Sequence, residues 1–228
     1  MIYLKRGSAP EFWTRERVKT WTGRWLVKRE KGGDWSWPQV DKQPLNQHAR
    51  LNMAEWQFGK CAFCETPIGS RAEVEHFHSK AHYPLAAFVW RNLFLACHDC
   101  NHAKGEADHA GCIKPDRENP ADYLWVNPYS LKVEPKPGIS EKARRRAVKT
   151  IKTYQLDRPE LKRLYQLTYL KGETLNLVPP LIQARQNQPS TDPTIEDRIS
   201  VLRARAEPEQ PFSLFVRSFL VHYGVIEK

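Results

Sequence analysis

The sequence predicts an α+β protein in which a small zinc-stabilised unit with short strands is embedded in a mainly α-helical chain. Three observations lead there. Two Cys-x-x-Cys pairs, Cys61-Ala62-Phe63-Cys64 and Cys97-His98-Asp99-Cys100, bracket a stretch of short β-prone runs. Apolar residues on both sides recur at helical spacing. A composition of 40% hydrophobic and 27% charged residues over 228 positions, with 8 Trp, 8 Tyr and 9 Phe, supplies enough large side chains to offset the entropy of ordering.

In chain order, Phe12, Trp13, Val18, Trp21, Trp25 and Leu26 fall close to one face between Pro10 and Glu30, which predicts an amphipathic helix. Gly32 and Gly33 break it, Pro38 and Pro44 keep the next segment irregular, and a second helix is expected from Leu45 to Phe58. From Gly59 to Gly105 the β-prone runs are Ala72 to Phe77 and Asn92 to Ala96. Pro115, Pro120, Pro128, Pro135 and Pro137 exclude long helices between Gly111 and Gly138, so an extended surface connection is expected there. Ser140 opens a helix carrying Ala143, Ala147, Ile151 and Tyr154, and Pro159 starts another carrying Leu161, Leu164, Leu167 and Leu170. The Pro- and Gln-rich stretch from Pro179 to Pro193 reads as a loop, and helices near Thr194 to Ala206 and Phe212 to Tyr223 complete the chain. There is no internal repeat. The expected organisation is an N-terminal helical region (1–58), a zinc-containing core (59–110), and a proline-rich connection with a C-terminal helical region (111–228).

A formal charge of +10 favours polyanionic partners, because Lys and Arg that neutralise phosphates release condensed counterions. Lys5 and Arg6 have no apolar run behind them, so no signal peptide is expected, and no stretch approaches the length of a membrane span. A cytoplasmic protein without membrane association is therefore expected.

In a reducing compartment, paired cysteines are metal ligands more often than disulfides. A thioredoxin-like redox site would need one Cys-x-x-Cys in a βαβ context, which is missing. Each pair can aim two thiolates at one ion, so Cys61, Cys64, Cys97 and Cys100 make a tetrahedral four-thiolate set for Zn²⁺. Four thiolates close the coordination shell, which makes the zinc structural. Cys112 stands outside this spacing and reads as a thiol apart from the metal site.

Between the knuckles lie Glu75-His76-Phe77-His78 and Asn92-Leu93, and Asn101-His102-Ala103-Lys104 follows the last cysteine directly. This order resembles the HNH nuclease family, in which an acidic residue and a His share a strand, an Asn begins the next strand, and an Asn or His opens the following helix. The resemblance spans Gly59 to Gly105 and implies a ββα-metal (HNH/His-Me) core. Glu75 stands where many members have Asp. The wider wording, with Cys-Ala-Phe-Cys-Glu at 61–65, Glu-His-Phe at 75–77, Lys80, Tyr83-Pro84 and Trp90-Arg91-Asn92-Leu93, is similar to PtuB-type HNH proteins of Septu and retron anti-phage systems. Ser79 replaces that subfamily's usual Pro.

Phosphodiester hydrolysis needs a deprotonated water in line with the bond and a cation at the leaving oxygen. His76 is the candidate base, since imidazole titrates near neutrality. Glu75 and Asn101 offer hard oxygen ligands suited to Mg²⁺ or Mn²⁺. By resemblance, Asn92 holds the loop that carries the base. Asn101 also reads as a helix N-cap, and Lys104 as a phosphate contact or a solvent-facing side chain. His78, His82 and His98 are surplus; His78 would share a face with His76 on a regular strand.

The resemblance further implies a toxic effector with a PtuA-type ATPase partner and, in retron versions, a reverse transcriptase with its noncoding RNA and DNA. The Trp-rich first helix and the basic Lys142 to Lys152 helix are then docking candidates, with core packing and a solvated face as their plainer readings. DNA is favoured as substrate, with RNA such as tRNA open. The alternative function is a catalytically inactive, zinc-stabilised module that binds nucleic acid or a partner.

Overall fold

The computed structural model describes residues 1–107, 110–170, 178–187 and 193–227. Helix α1 (Arg15–Glu30) begins where the Thr14 hydroxyl accepts a hydrogen bond from the Arg17 amide at 3.3 Å, and it ends on the basic Lys28 and Arg29, which complement the helix dipole. The expected helix thus loses its first turn to a bend at Pro10–Trp13. Its tryptophans serve packing: Trp21 is buried against Trp13 and Phe88, and the Trp13 indole donates to the Phe88 carbonyl at 2.9 Å.

A two-residue hairpin, β1 (Gln39–Val40) with β2 (Gln43–Pro44), leads into α2 (Leu45–Trp56). Leu45, Ala49 and Met53, four residues apart, make its fully buried stripe. Strands β3 (Glu73–His76) and β4 (Leu93–Ala96) then pair antiparallel, with Glu75 opposite Phe94 and His76 opposite Leu93, and α3 (His98–Lys104) follows directly. All four residues of β4 are buried, as a short strand covered on both faces requires. Gly105 ends α3 at φ 51° and ψ −129°, a backbone conformation open to glycine and closed to other residues.

The proline-rich connection is more ordered than its composition predicts. It forms an antiparallel pair, β5 (Leu124–Val126) with β6 (Val133–Pro135), because Pro128 falls in the loop and Pro135 at a strand end, where no ladder bond is lost. Helix α4 (Glu141–Tyr154) starts at the Ser140 cap, buries Ala147, Thr150, Ile151 and Tyr154, and stacks Tyr154 on Phe63 at 3.9 Å. Helix α5 (Pro159–Tyr165) continues as one wider turn over Gln166–Leu170.

The loop expected from Pro179 to Pro193 is corrected in its first part: α6 spans Val178–Asn187. Pro179 and Pro180 occupy its first turn, where amide hydrogens lack intrahelical partners, so they start the helix. Residues 188–192 lie outside the described residues. Helices α7 (Pro193–Ala204) and α8 (Ser213–His222) follow, α8 burying Leu214, Phe215, Val216, Phe219 and Leu220. The buried apolar side chains join one core that runs from the N-terminal segment to α8. Among the described residues, no helix is long and apolar enough to cross a membrane.

Candidate active site and metal centre

The first knuckle is a tight turn held at both ends: the Cys61 amide donates to Thr66 O and the Glu65 amide to Cys61 O. Glu65 is itself buried, ion-paired with the Met1 ammonium at 2.7 Å and hydrogen-bonded by Ser213 at 2.6 Å, which ties the knuckle to α8. The second knuckle is the start of α3, with Cys97 as N-cap and Cys100 in the first turn. Gln57 joins the two by exchanging hydrogen bonds with the Leu95 amide (3.0 Å) and carbonyl (3.1 Å) while donating to Lys60 O.

The result is that the Sγ atoms of Cys61, Cys64, Cys97 and Cys100 lie within 4.8 Å of one another, with those of Cys64 and Cys97 3.6 Å apart. A tetrahedral Zn²⁺ with bonds of about 2.3 Å spaces its sulfurs by about 3.8 Å, so the cluster suits zinc. Arg158 adds a guanidinium: Nη1 reaches Cys100 Sγ at 3.5 Å and Nη2 reaches Cys97 Sγ at 3.9 Å. Burial works against its charge, yet the sulfurs hold its pKa above the ordinary value. Sequence reasoning missed Arg158, whose contacts lie about sixty residues away along the chain. Cys112 is buried away from the cluster, its thiol against the Thr153 hydroxyl.

A second constellation lies where β3, α3 and the loop before β1 meet, in a cleft of about 320 Å³ lined in part by Trp35, Trp37, Glu75, His76, Asn101 and Lys104. His76 is buried, its Nε2 2.9 Å from the Ala87 carbonyl. A carbonyl only accepts, so Nε2 carries the proton and Nδ1 keeps its lone pair. Burial, reinforced by the charge of Lys80, lowers the His76 pKa to about 3, so the ring is neutral at physiological pH but titrates well below the near-neutral value expected of the base. Trp37 stacks on this imidazole and Trp35 meets it edge-on.

Glu75 is buried beside it, and burial lifts its pKa to about 7 against the pull of the Lys104 ammonium with which it pairs. Lys104 therefore departs from the solvent-facing expectation: its side chain is buried against Glu75, and it lines the cleft. Asn101 lines the same cleft, but its Nδ2 donates to Glu73 Oε2 at 2.6 Å. It is the fourth residue of α3, so the N-cap reading is replaced by Cys97. Glu73 also meets the His98 ring at 3.0 Å, and the hydrogen bond raises the His98 pKa. The alternation of β3, which puts residues 73 and 75 on one face, was the available signal for Glu73.

Asn92 stays out of the cleft wall. Buried behind it, its Oδ1 accepts from the His78 amide at 2.7 Å and its Nδ2 donates to the carbonyls of His78 (2.9 Å) and Ala86 (3.0 Å). This grip turns the chain after His76, where β3 stops, so His78 does not share the strand face of His76; its ring packs on Phe77 and Tyr83. His82 is exposed in the next turn.

Fold and site together define a mixed α+β protein, mostly helical, organised around a four-cysteine centre fit for zinc. The chain is homologous to the Septu protein PtuB of Bacillus thuringiensis, with 27% identity over 232 aligned positions that cover 96% of this chain and 82% of the relative. No protein-family model matches the chain.

Proposed function

We propose that the chain is a metal-dependent HNH endonuclease that hydrolyses phosphodiester bonds, DNA in preference to RNA, as an effector in Septu-type anti-phage defence. The observation that carries this reading is the tautomer of His76: a neutral imidazole with Nε2 committed to Ala87 presents Nδ1 as a base, beside Glu75 and Asn101 in one cleft. In this reading residues 59–110 are the catalytic segment, carried by the helical regions 1–58 and 111–228.

The chain's own contributions follow from the geometry. His76 Nδ1 takes a proton from the attacking water. Asn92 fixes the turn behind that base and acts through it as a positioning residue. Glu75 and the Asn101 side-chain oxygen would hold Mg²⁺ or Mn²⁺; the donor set fits, since the Asn101 amide nitrogen faces Glu73 and leaves its oxygen uncommitted to that pair. Such a cation stabilises the leaving oxygen when bound. Zinc at the four cysteines stays structural. Homology to PtuB supports a PtuA-type ATPase partner, and the resemblance extends the proposal to the reverse transcriptase and noncoding RNA or DNA of a retron.

One observation favours a second reading, an inactive zinc-stabilised module that binds nucleic acid or a partner: the Lys104 ammonium already neutralises Glu75. The His76→Ala variant separates the two. Under the nuclease reading, cleavage of plasmid DNA with Mg²⁺ or Mn²⁺ and toxicity in cells both disappear while folding and zinc content persist. Cleavage that survives the substitution overturns the reading.

A further inference from the structure

A second cleft, of about 470 Å³, opens between the N-terminal segment and the turn that precedes β4, and shares no lining residue with the reaction cleft. Its wall includes Arg6, Gly7, Trp90, Arg91, Asp116 and Arg117. Three guanidiniums thus face one carboxylate, and that carboxylate is already engaged. Asp116 Oδ2 accepts from Arg6 Nε at 2.6 Å, and Lys114 Nζ lies 3.8 Å from Oδ1.

Arg6 is built into the protein rather than draped on it. Its side chain is 10% exposed, its guanidinium lies over the rings of Trp56 (4.6 Å) and Phe94 (4.3 Å), and Nη1 donates to the carbonyls of Trp90 and Leu93. Nη2 is buried with no hydrogen-bond partner. A guanidinium fork matches phosphate oxygens. Burial, Arg91 and Arg117 all disfavour the Arg6 charge, only Asp116 opposing them, so the cluster is under-neutralised. Arg91 and Arg117 are exposed, as Arg144 and Arg145 are on the outer face of α4; the cleft differs in the buried Arg6 that lines it with them, and Arg145 pairs with the exposed Glu141.

We propose that this cleft is a phosphate site, in which the exposed Arg91 and Arg117 hold a backbone phosphate of a polynucleotide strand and the buried Arg6 adds its positive charge. The strand as source rests on the nuclease reading; the phosphate chemistry does not. A phosphate accepts from Arg91 and Arg117 and supplies the negative charge the three arginines lack.

The test uses the full chain carrying His76→Ala, without added divalent metal, so that no strand is cut. Affinity for a labelled single-stranded oligonucleotide is measured against salt concentration, and thermal midpoints are compared in phosphate and in chloride at equal ionic strength. Arg91→Ala/Arg117→Ala removes the contacts to this one phosphate and should lower the log–log salt slope by about 0.7. It should also abolish the extra stabilisation by phosphate, while Arg144→Ala/Arg145→Ala changes neither. A slope and a phosphate effect both retained in the cleft variant overturn the proposal, as does an equal loss in the α4 variant. If only the phosphate effect is lost, the anion site stands and its polynucleotide source is overturned. If no variant binds the oligonucleotide, the nucleic-acid reading itself fails, and the phosphate midpoints still decide this site.

Discussion

Trp37 lies parallel to the imidazole of His76, with ring centroids 5.3 Å apart and planes 16° from each other. Trp35 closes a second side at 5.2 Å, and the Ala87 carbonyl accepts a hydrogen bond from Nε2–H. A histidine enclosed in this way is kept neutral by its surroundings, so its protonation is linked to the stability of the fold.

That linkage has a sign. The folded pKa of His76, about 3, lies below the ordinary 6.5. Its contribution is fully present above about pH 6.5 and is lost as pH falls toward 3, because the unfolded chain then binds a proton that the folded chain refuses. His76→Gln removes this dependence. Denaturation with urea across pH 3 to 7 should show the variant gaining stability relative to the parent as pH drops through that window. A constant difference between the two would mean that His76 titrates as in water.

Glu73 anchors Asn101 and His98 from outside the core, and nothing else among the described contacts orients the Asn101 amide. Supporting residues of metal ligands are worth about 10–100-fold in metal affinity or activity. Glu73→Ala should therefore weaken Mn²⁺ binding within that range, read by calorimetry on the zinc-loaded protein, without loss of zinc. Unchanged Mn²⁺ affinity would remove Asn101 from the proposed ligand set.

Asn92→Ala removes the partner of the His78 amide, the His78 carbonyl and the Ala86 carbonyl in a partly buried turn. A lost hydrogen bond costs about 0.5–1.5 kcal/mol net where water can partly replace it, so a loss of about 2 kcal/mol is expected from chemical denaturation. Asn92→Asp keeps the acceptor for His78 but sets a carboxyl oxygen against the His78 and Ala86 carbonyls, which only accept, and should be at least as destabilising as the alanine variant.

Elemental analysis should find about one zinc per chain, bound at the four cysteines. Cys100→Ser should release it and lower the thermal midpoint sharply, since both knuckles and the start of α3 are organised around the cluster. Arg158→Ala should retain the metal and reduce its affinity modestly, measured by competition with a chromogenic chelator.

Local spacing carried much of this molecule in readable form. Helices α2 and α4 declare themselves through apolar residues three and four apart, and the β3 and β4 runs through their position between the knuckles. Reading failed where a proline has two meanings. Pro179 and Pro180 look like helix breakers until their place in the first turn of α6 is known, and Pro128 and Pro135 sit where a hairpin tolerates them. Whether a proline starts or stops an element depends on which amide hydrogens its neighbours leave unpaired, and composition does not record that.

The sequence by itself determined the four thiolates, the adjacency of Glu75 and His76, and the short strands and helix that carry them, because each depends on covalent spacing within a few residues. Only the tertiary structure decided that Ala87 fixes the His76 tautomer, that Trp35 and Trp37 enclose it, that Lys104 turns inward to Glu75, and that Arg158 lies against the sulfurs. Most of these partners lie ten to sixty residues apart along the chain. Their meeting is set by packing around a shared core, where the same side chain can be a surface charge or a buried one depending on which element covers it.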